Sequence, residues 1–132
     1  MVVVQTRGQG FTELTERVEE FAQQSSVKDG LVTVFCRHTS ASLVVQENAD
    51  PDVRVDLLTA FDRLAPRGVK YVHDAEGPDD MPAHIRAMLT GCSIGVPVRD
   101  GKLTLGTWQG IYLVEHRDDG HRREIVFHIV GI

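Results

Sequence analysis

The sequence predicts a single α+β domain, residues 1–132, with mixed, largely antiparallel sheet layers and about three helices. Helical three-and-four periodicity is confined to the first two-thirds of the chain. Alternation and tight-turn dipeptides fill the last third. A length of 132 residues is that of one ordinary domain, able to bury a core without disulfides or a structural metal.

Val2, Val3 and Val4 open a strand. Phe11, Leu14, Val18 and Phe21 then share one helical face, with Thr12 as the expected cap. Residues 31–36 and 42–46 read as two strands separated by the polar bend at residues 38–41. Asp50 followed by Pro51 starts a second helix, because a carboxylate caps free amides and proline fills the first helical position without losing a bond. Val53, Leu57, Phe61 and Leu64 mark its face, and Pro66 stops it. A third helix starts at Asp79 or Asp80 and ends at Gly91. Residues 94–98 and 103–105 flank Asp100-Gly101, a dipeptide suited to a tight hairpin. A second hairpin is expected to join residues 109–116 to residues 124–130 across the turn at Asp118, Asp119 and Gly120.

Composition narrows the function classes. The net charge is −5 and the basic residues are scattered, so no nucleic-acid footprint is evident. Apolar runs are too short to cross a bilayer, and the first residues lack the long apolar region of a secretory signal, which points to a cytoplasmic protein with no membrane partner. Cys36 and Cys92 form no C-x-x-C pair and read as buried apolar fillers.

Three polar clusters interrupt the regular elements. His38, Thr39 and Ser40 stand at the bend between two strands, followed by Glu47, Asn48 and Asp50 before a helix start, a setting for an anion. The blander reading makes them turn and cap residues. In the second cluster, Asp80 and His84 are four apart on one helical face with His73 in the preceding loop, a spacing suited to metal ligation or to a carboxylate orienting an imidazole. In the third, Trp108 and Gln109 lead into a strand whose alternation points Glu115 inward beside Ile111 and Leu113. An inward carboxylate needs a cation, a metal or a proton-transfer role. Trp108 also reads as a core filler, and His116, His121 and His128 as solvent or strand-pair residues. The chain has no G-x-S-x-G elbow, Walker loop or G-x-G-x-x-G fingerprint.

Three segments together resemble the YjbQ family, also called secondary thiamine-phosphate synthases: HTSASLVVQENADP at residues 38–51, YVHDAEGPDDMPAHI at 71–85 and DGKLTLGTWQGIYLVEHRD at 100–118. The resemblance implies a compact α+β homotrimer with a polar pocket near subunit boundaries. It also implies a weak synthase activity that joins a pyrimidine pyrophosphate to a thiazole phosphate. The expected site has His38, Asp80 and Glu115 as catalytic groups, and Thr39, Ser40, Glu47, Asn48, Trp108 and Gln109 against a phosphorylated small molecule. His38, His73 and His84 are the candidate ligands of a divalent ion such as zinc, magnesium or manganese, or else contact phosphate directly. The rival expectation is a non-enzymatic, trimeric metabolite-binding or sensing protein. Asp80 and Pro82 depart from the family pattern.

Overall fold

Alternation decides which strand faces are buried. In the computed structural model, which describes residues 1–132, the strand Gly30–Cys36 turns Val32, Val34 and Cys36 into the core and leaves Leu31 and Phe35 at the surface. The elements in order are β1 (Val2–Gln5), β2 (Gly10–Glu13), α1 (Thr15–Gln24), β3 (Gly30–Cys36), β4 (Ala41–Glu47), α2 (Pro51–Leu64), α3 (Asp80–Thr90), β5 (Ser93–Arg99), β6 (Lys102–Leu103), β7 (Gln109–Glu115) and β8 (Arg122–Gly131). Five strands form one sheet in the order β1-β8-β3-β5-β6, three form a second in the order β2-β7-β4, and every pairing is antiparallel.

The hydrophobic core lies between the two sheets. Val32, Val34, Val96 and Ile125 of the larger sheet meet Leu43, Ile111 and Leu113 of the smaller one, and Leu14 and Val18 at the start of α1 close the gap. Phe21 of α1 packs edge-on against Phe127 of β8, with ring centroids 5.7 Å apart. The other face of the small sheet carries α2 and α3. There Phe61 of α2 meets the His116 ring at 5.4 Å, and Thr90 of α3 donates to Ser42 Oγ of β4 at 2.6 Å.

Three chain crossings between the sheets, β1 to β2, β3 to β4 and β7 to β8, meet at one buried ion pair. Glu115 and Arg123 are only 2% and 4% exposed. Arg123 donates through Nε to Glu115 Oε1 at 2.8 Å and through Nη2 to Oε2, while Nη2 also reaches the Ser40 carbonyl at 3.2 Å and Ser40 Oγ at 3.0 Å. Thr6 Oγ1 donates to Glu115 Oε1 at 2.6 Å, and the Arg117 amide donates to Oε2 at 3.1 Å. Burial alone would raise the Glu115 pKa, but Arg123, Thr6 and the Arg117 amide outweigh it and hold the carboxyl below its ordinary range. Removing one partner of such a pair strands the other charge in the interior, a loss of about 3–5 kcal/mol. Glycines let the crossings touch: a Cβ on Gly8 would stand 2.4 Å from the Asp118 carbonyl oxygen, and one on Gly120 would stand 2.4 Å from that of Thr6.

The structure corrects two expectations and narrows a third. Residues 109–116 and 124–130 do not form a hairpin; β7 and β8 lie in different sheets, and the turn between them carries the chain from one layer to the other. Phe11 and Thr12 belong to β2, with Phe11 edge-on to Tyr112 at 5.9 Å, and α1 starts only at Thr15 without a side-chain cap. Of the two expectations for His116, solvent is excluded and a strand-pair contact is found: it is 1% exposed, with Nε2 2.7 Å from Ser42 Oγ of the neighbouring strand β4. The hairpin at Asp100-Gly101 is present, both residues having positive φ, 52° and 75°. No helix is long and apolar enough to cross a membrane.

Burial, and after it the nearby Arg86 charge, lower the His116 pKa from 6.5 to about 4. Its folded value lies below its unfolded one, so its contribution to stability is complete above pH 6.5 and is lost as pH falls toward 4. Urea unfolding at pH 7.5 and pH 5 is expected to show a drop of about 2 kcal/mol from this residue, and His116→Gln is expected to remove that part of the slope.

Candidate functional site

The start of α3 is held from two directions. Asp79 at the N-cap and Asp80 in the first turn are adjacent carboxylates where helix amides favour negative charge. Arg117, just beyond β7, donates through Nε to Asp79 Oδ2 at 2.9 Å, lies with Nη1 3.0 Å from Asp80 Oδ1, and reaches the Glu76 carbonyl through Nη2 at 3.0 Å. The Asp118 amide donates to Asp79 Oδ2 at 2.9 Å. One guanidinium therefore fixes the helix start and the loop before it against the crossing from β7 to β8.

With Oδ1 turned to Arg117, Asp80 presents Oδ2 to two imidazoles. His73 Nε2 lies 2.6 Å from it and His84 Nε2 3.1 Å. The three donor atoms all lie within 4.8 Å of one another. Burial raises the Asp80 pKa, but the His73 hydrogen bond and the charges of His84 and Arg117 prevail and hold the carboxyl below its usual range. His84 is tied at its other nitrogen as well, Nδ1 standing 2.9 Å from the Thr39 carbonyl oxygen. Both its nitrogens thus face oxygen acceptors. Either each carries a proton, or Nδ1–H donates to Thr39 and a cation sits between Nε2 and the carboxylate.

Two cavities, each of about 410 Å³, flank the cluster. Lys70, Tyr71, His73 and Asp74 line the first; His38, Thr39, His84, Met88 and Cys92 line the second.

The sequence-predicted residues divide. Asp80, His73 and His84 come together as the i,i+4 spacing suggests, and Thr39 joins them through its carbonyl. His38 stands outside the donor cluster: its Nε2 accepts from the Glu124 amide at 2.8 Å, and burial, followed by the Arg123 charge, lowers its pKa. Carboxylate Asp80, not His38, is the third member of the set. Glu115 points inward as alternation predicts, but both its oxygens are engaged in the ion pair with Arg123, and Ser40 is bound to the same guanidinium. Both side chains are thereby tied into the fold through Arg123.

Glu47, Asn48, Trp108 and Gln109 lie elsewhere. The β4–β7 register runs from Ala41 opposite Glu115 to Glu47 opposite Gln109, which puts these four about 20 Å along the sheet from the Glu115 end. Glu47 accepts from the amides of Ala49 and Asp50 and Gln109 accepts from the Gly106 amide, both within local turns, while Asn48 donates across to Glu13 of β2. Trp108 is 63% exposed and fills no core. Cys36 is buried as expected, whereas Cys92 is exposed. Sequence reasoning missed Arg117 and Arg123, whose partners are distant in the chain except for Glu115; only the carboxylates that need them were visible.

Fold and site together define a two-sheet α+β protein with a His-Asp-His donor set at a helix start. The chain matches the family model described as UPF0047 protein YjbQ-like over residues 1–132, and it belongs to that family. It is 50% identical over 132 residues to a UPF0047 protein of Synechocystis, covering 99% of this chain and 90% of that one. It is 41% identical over 131 residues to the UPF0047 protein YjbQ of Salmonella typhimurium, covering 98% and 95% of the two chains. Among solved structures, a YjbQ/UPF0047 protein of Clostridium acetobutylicum superposes with a TM-score of 0.89 at 37% identity, over 98% of this chain and 100% of that one. A YjbQ-like protein of Sulfolobus solfataricus does so with a TM-score of 0.90 at 28% identity, over 99% and 96%.

Arg117 holds the loop that carries His73, and hydrogen bonds to charged groups contribute about 1.5–3 kcal/mol each. Arg117→Met is expected to speed amide exchange over residues 74–80 at least tenfold by mass spectrometry while leaving β8 protected. Unchanged exchange in that loop would show that Arg117 does not order it.

Proposed function

We propose that His73, Asp80 and His84 bind a divalent metal ion that holds the phosphate of a small molecule. The observation that carries this reading is the shared Asp80 oxygen with an imidazole nitrogen on either side, within 3.1 Å, and with His84 fixed at its far nitrogen by the Thr39 carbonyl. Backbone carbonyls commonly orient metal-binding histidines in this way. Two nitrogens and one carboxylate suit zinc or manganese better than magnesium, which prefers an all-oxygen shell. Bound there, the metal would neutralise charge on phosphate or on departing pyrophosphate. Asp80 and the two histidines would hold the ion, Arg117 would keep Asp80 in place, and Lys70 in the adjoining cavity supplies a cation for further phosphate oxygens.

On this reading the family-level expectation, a transferase with weak thiamine-phosphate synthase activity, works by placement and charge stabilisation. A second reading, a non-enzymatic metabolite-binding or sensing protein, draws support from one observation: Ser40 and Glu115, a hydroxyl and a carboxylate near the site, are both committed to Arg123. In either reading copies of the chain assemble as a homotrimer. The outer face of the five-stranded sheet offers Val3, Leu31, Phe35 and Val130, each more than two-fifths exposed, as contact surface.

Elemental analysis of the purified protein is expected to find about one zinc or manganese per chain. The double variant His73→Ala, His84→Ala should lose it with circular dichroism unchanged; equal metal in both proteins removes these residues from the role. Turnover of the pyrimidine and thiazole substrates that depends on the metal supports the transferase, and ligand binding without turnover supports the sensor. Light scattering is expected to give three times the chain mass, and a clean monomer at micromolar concentration would overturn the assembly.

A further inference from the structure

The cavity beside His84 shares that ring with the donor cluster but differs from it in character. Ala87 and Met88 of α3, Cys92 at the entry to β5, and His38 and Thr39 of the β3 to β4 crossing build its wall. None of these side chains carries a formal carboxylate, ammonium or guanidinium. The cavity's polar side chains are the Thr39 hydroxyl and the imidazoles of His84 and His38; because His38 Nε2 accepts from the Glu124 amide, its remaining ring nitrogen carries the proton of the neutral form. Met88 is 78% exposed, and a flexible thioether at a rim adapts to different shapes. The cavity on the His73 side is lined instead by Lys70, Tyr71 and Asp74. Asp80 Oδ2 binds both histidines, so the cluster stands between a charged cavity and an apolar one.

We infer that the apolar cleft beside His84 takes the organic body of the ligand, a flat ring or short uncharged chain carried by a phosphate ester, and that Ala87, Met88 and Cys92 decide which bodies fit. The inference rests on reading the cluster as a metal site for phosphate. A volume of about 410 Å³ falls within the range of small-molecule pockets. Moving one six-membered ring from water onto such a wall corresponds to roughly tenfold to hundredfold tighter binding.

The test compares inorganic phosphate with phenyl phosphate on the metal-loaded protein by calorimetry, and follows alkylation of Cys92 by iodoacetamide with intact mass. Cys36 is buried and Cys92 exposed, so a single label is expected, and Cys92→Ser supplies the background. Phenyl phosphate is expected to bind at least tenfold tighter than inorganic phosphate and, at saturation, to slow alkylation about tenfold. Ala87→Trp, which fills the cleft, should bring the two phosphates within about twofold of each other without weakening inorganic phosphate. Met88→Ser, at an exposed position that tolerates change, should reduce the phenyl advantage at least threefold even where Ala87→Trp fails to fold. Equal affinities with metal retained, or alkylation undiminished by phenyl phosphate, would overturn the cleft assignment and leave the metal reading intact. Protection of Cys92 in a protein that retains no metal would keep the cleft and overturn the metal reading. A protein that retains no metal and shows no protection of Cys92 would overturn both.

Discussion

The buried pair of Glu115 and Arg123 joins three of the places where the chain passes between sheets. Thr6 from the first crossing, Ser40 from the second and the Arg117 amide from the third all bond to it. A charge in this position is tolerable only because nearly every lone pair and proton is used, which makes the geometry of the crossings mutually dependent. The site inherits its precision from that arrangement. His38 and Thr39 leave the crossing that Ser40 anchors, and Arg117 leaves the crossing that Glu115 anchors, so the wall at His84 and the support of Asp80 are set by the same pair.

Around the cluster, charge is balanced locally. Two adjacent carboxylates at a helix start would repel each other, and Arg117 bridges them with two nitrogens while its third reaches a loop carbonyl. This leaves one Asp80 oxygen for the histidines. The guanidinium thereby decides which oxygen faces the ligand side, a role that a more flexible ammonium would fill poorly.

Much of this was legible in the sequence where local rules govern. The α+β class, the cap of α2 by Asp50, the Asp100-Gly101 turn and the pairing of Asp80 with His84 follow from spacing and turn chemistry within a few residues. Sheet membership was not. The strands β7 and β8 each alternate and are joined by a turn sequence, which describes a hairpin as well as it describes a crossing, and only the distant partners β4 and β3 distinguish the two. The same limit explains the site. Glu115 is legible as an inward carboxylate, but the cation that pairs with it, Arg123, stands on β8, whose sheet the turn sequence does not disclose. For His116, alternation leaves solvent and a strand-pair contact equally open, and only Ser42, contributed by β4, decides for the buried one.

The position of β8 in the larger sheet bears on how the protein is made. It is synthesised after the seven other strands, yet it lies between β1 and β3 and pairs with both. Until it leaves the ribosome, β1 has no partner in that sheet and β3 has one bare edge, and the Arg123 that neutralises Glu115 is still missing. Loop closure over such separations is slow, and translation adds only roughly 5–20 residues per second. The nascent chain therefore spends its synthesis with open strand edges and an unpaired interior charge, the interval in which chaperones or neighbouring chains have most access to it.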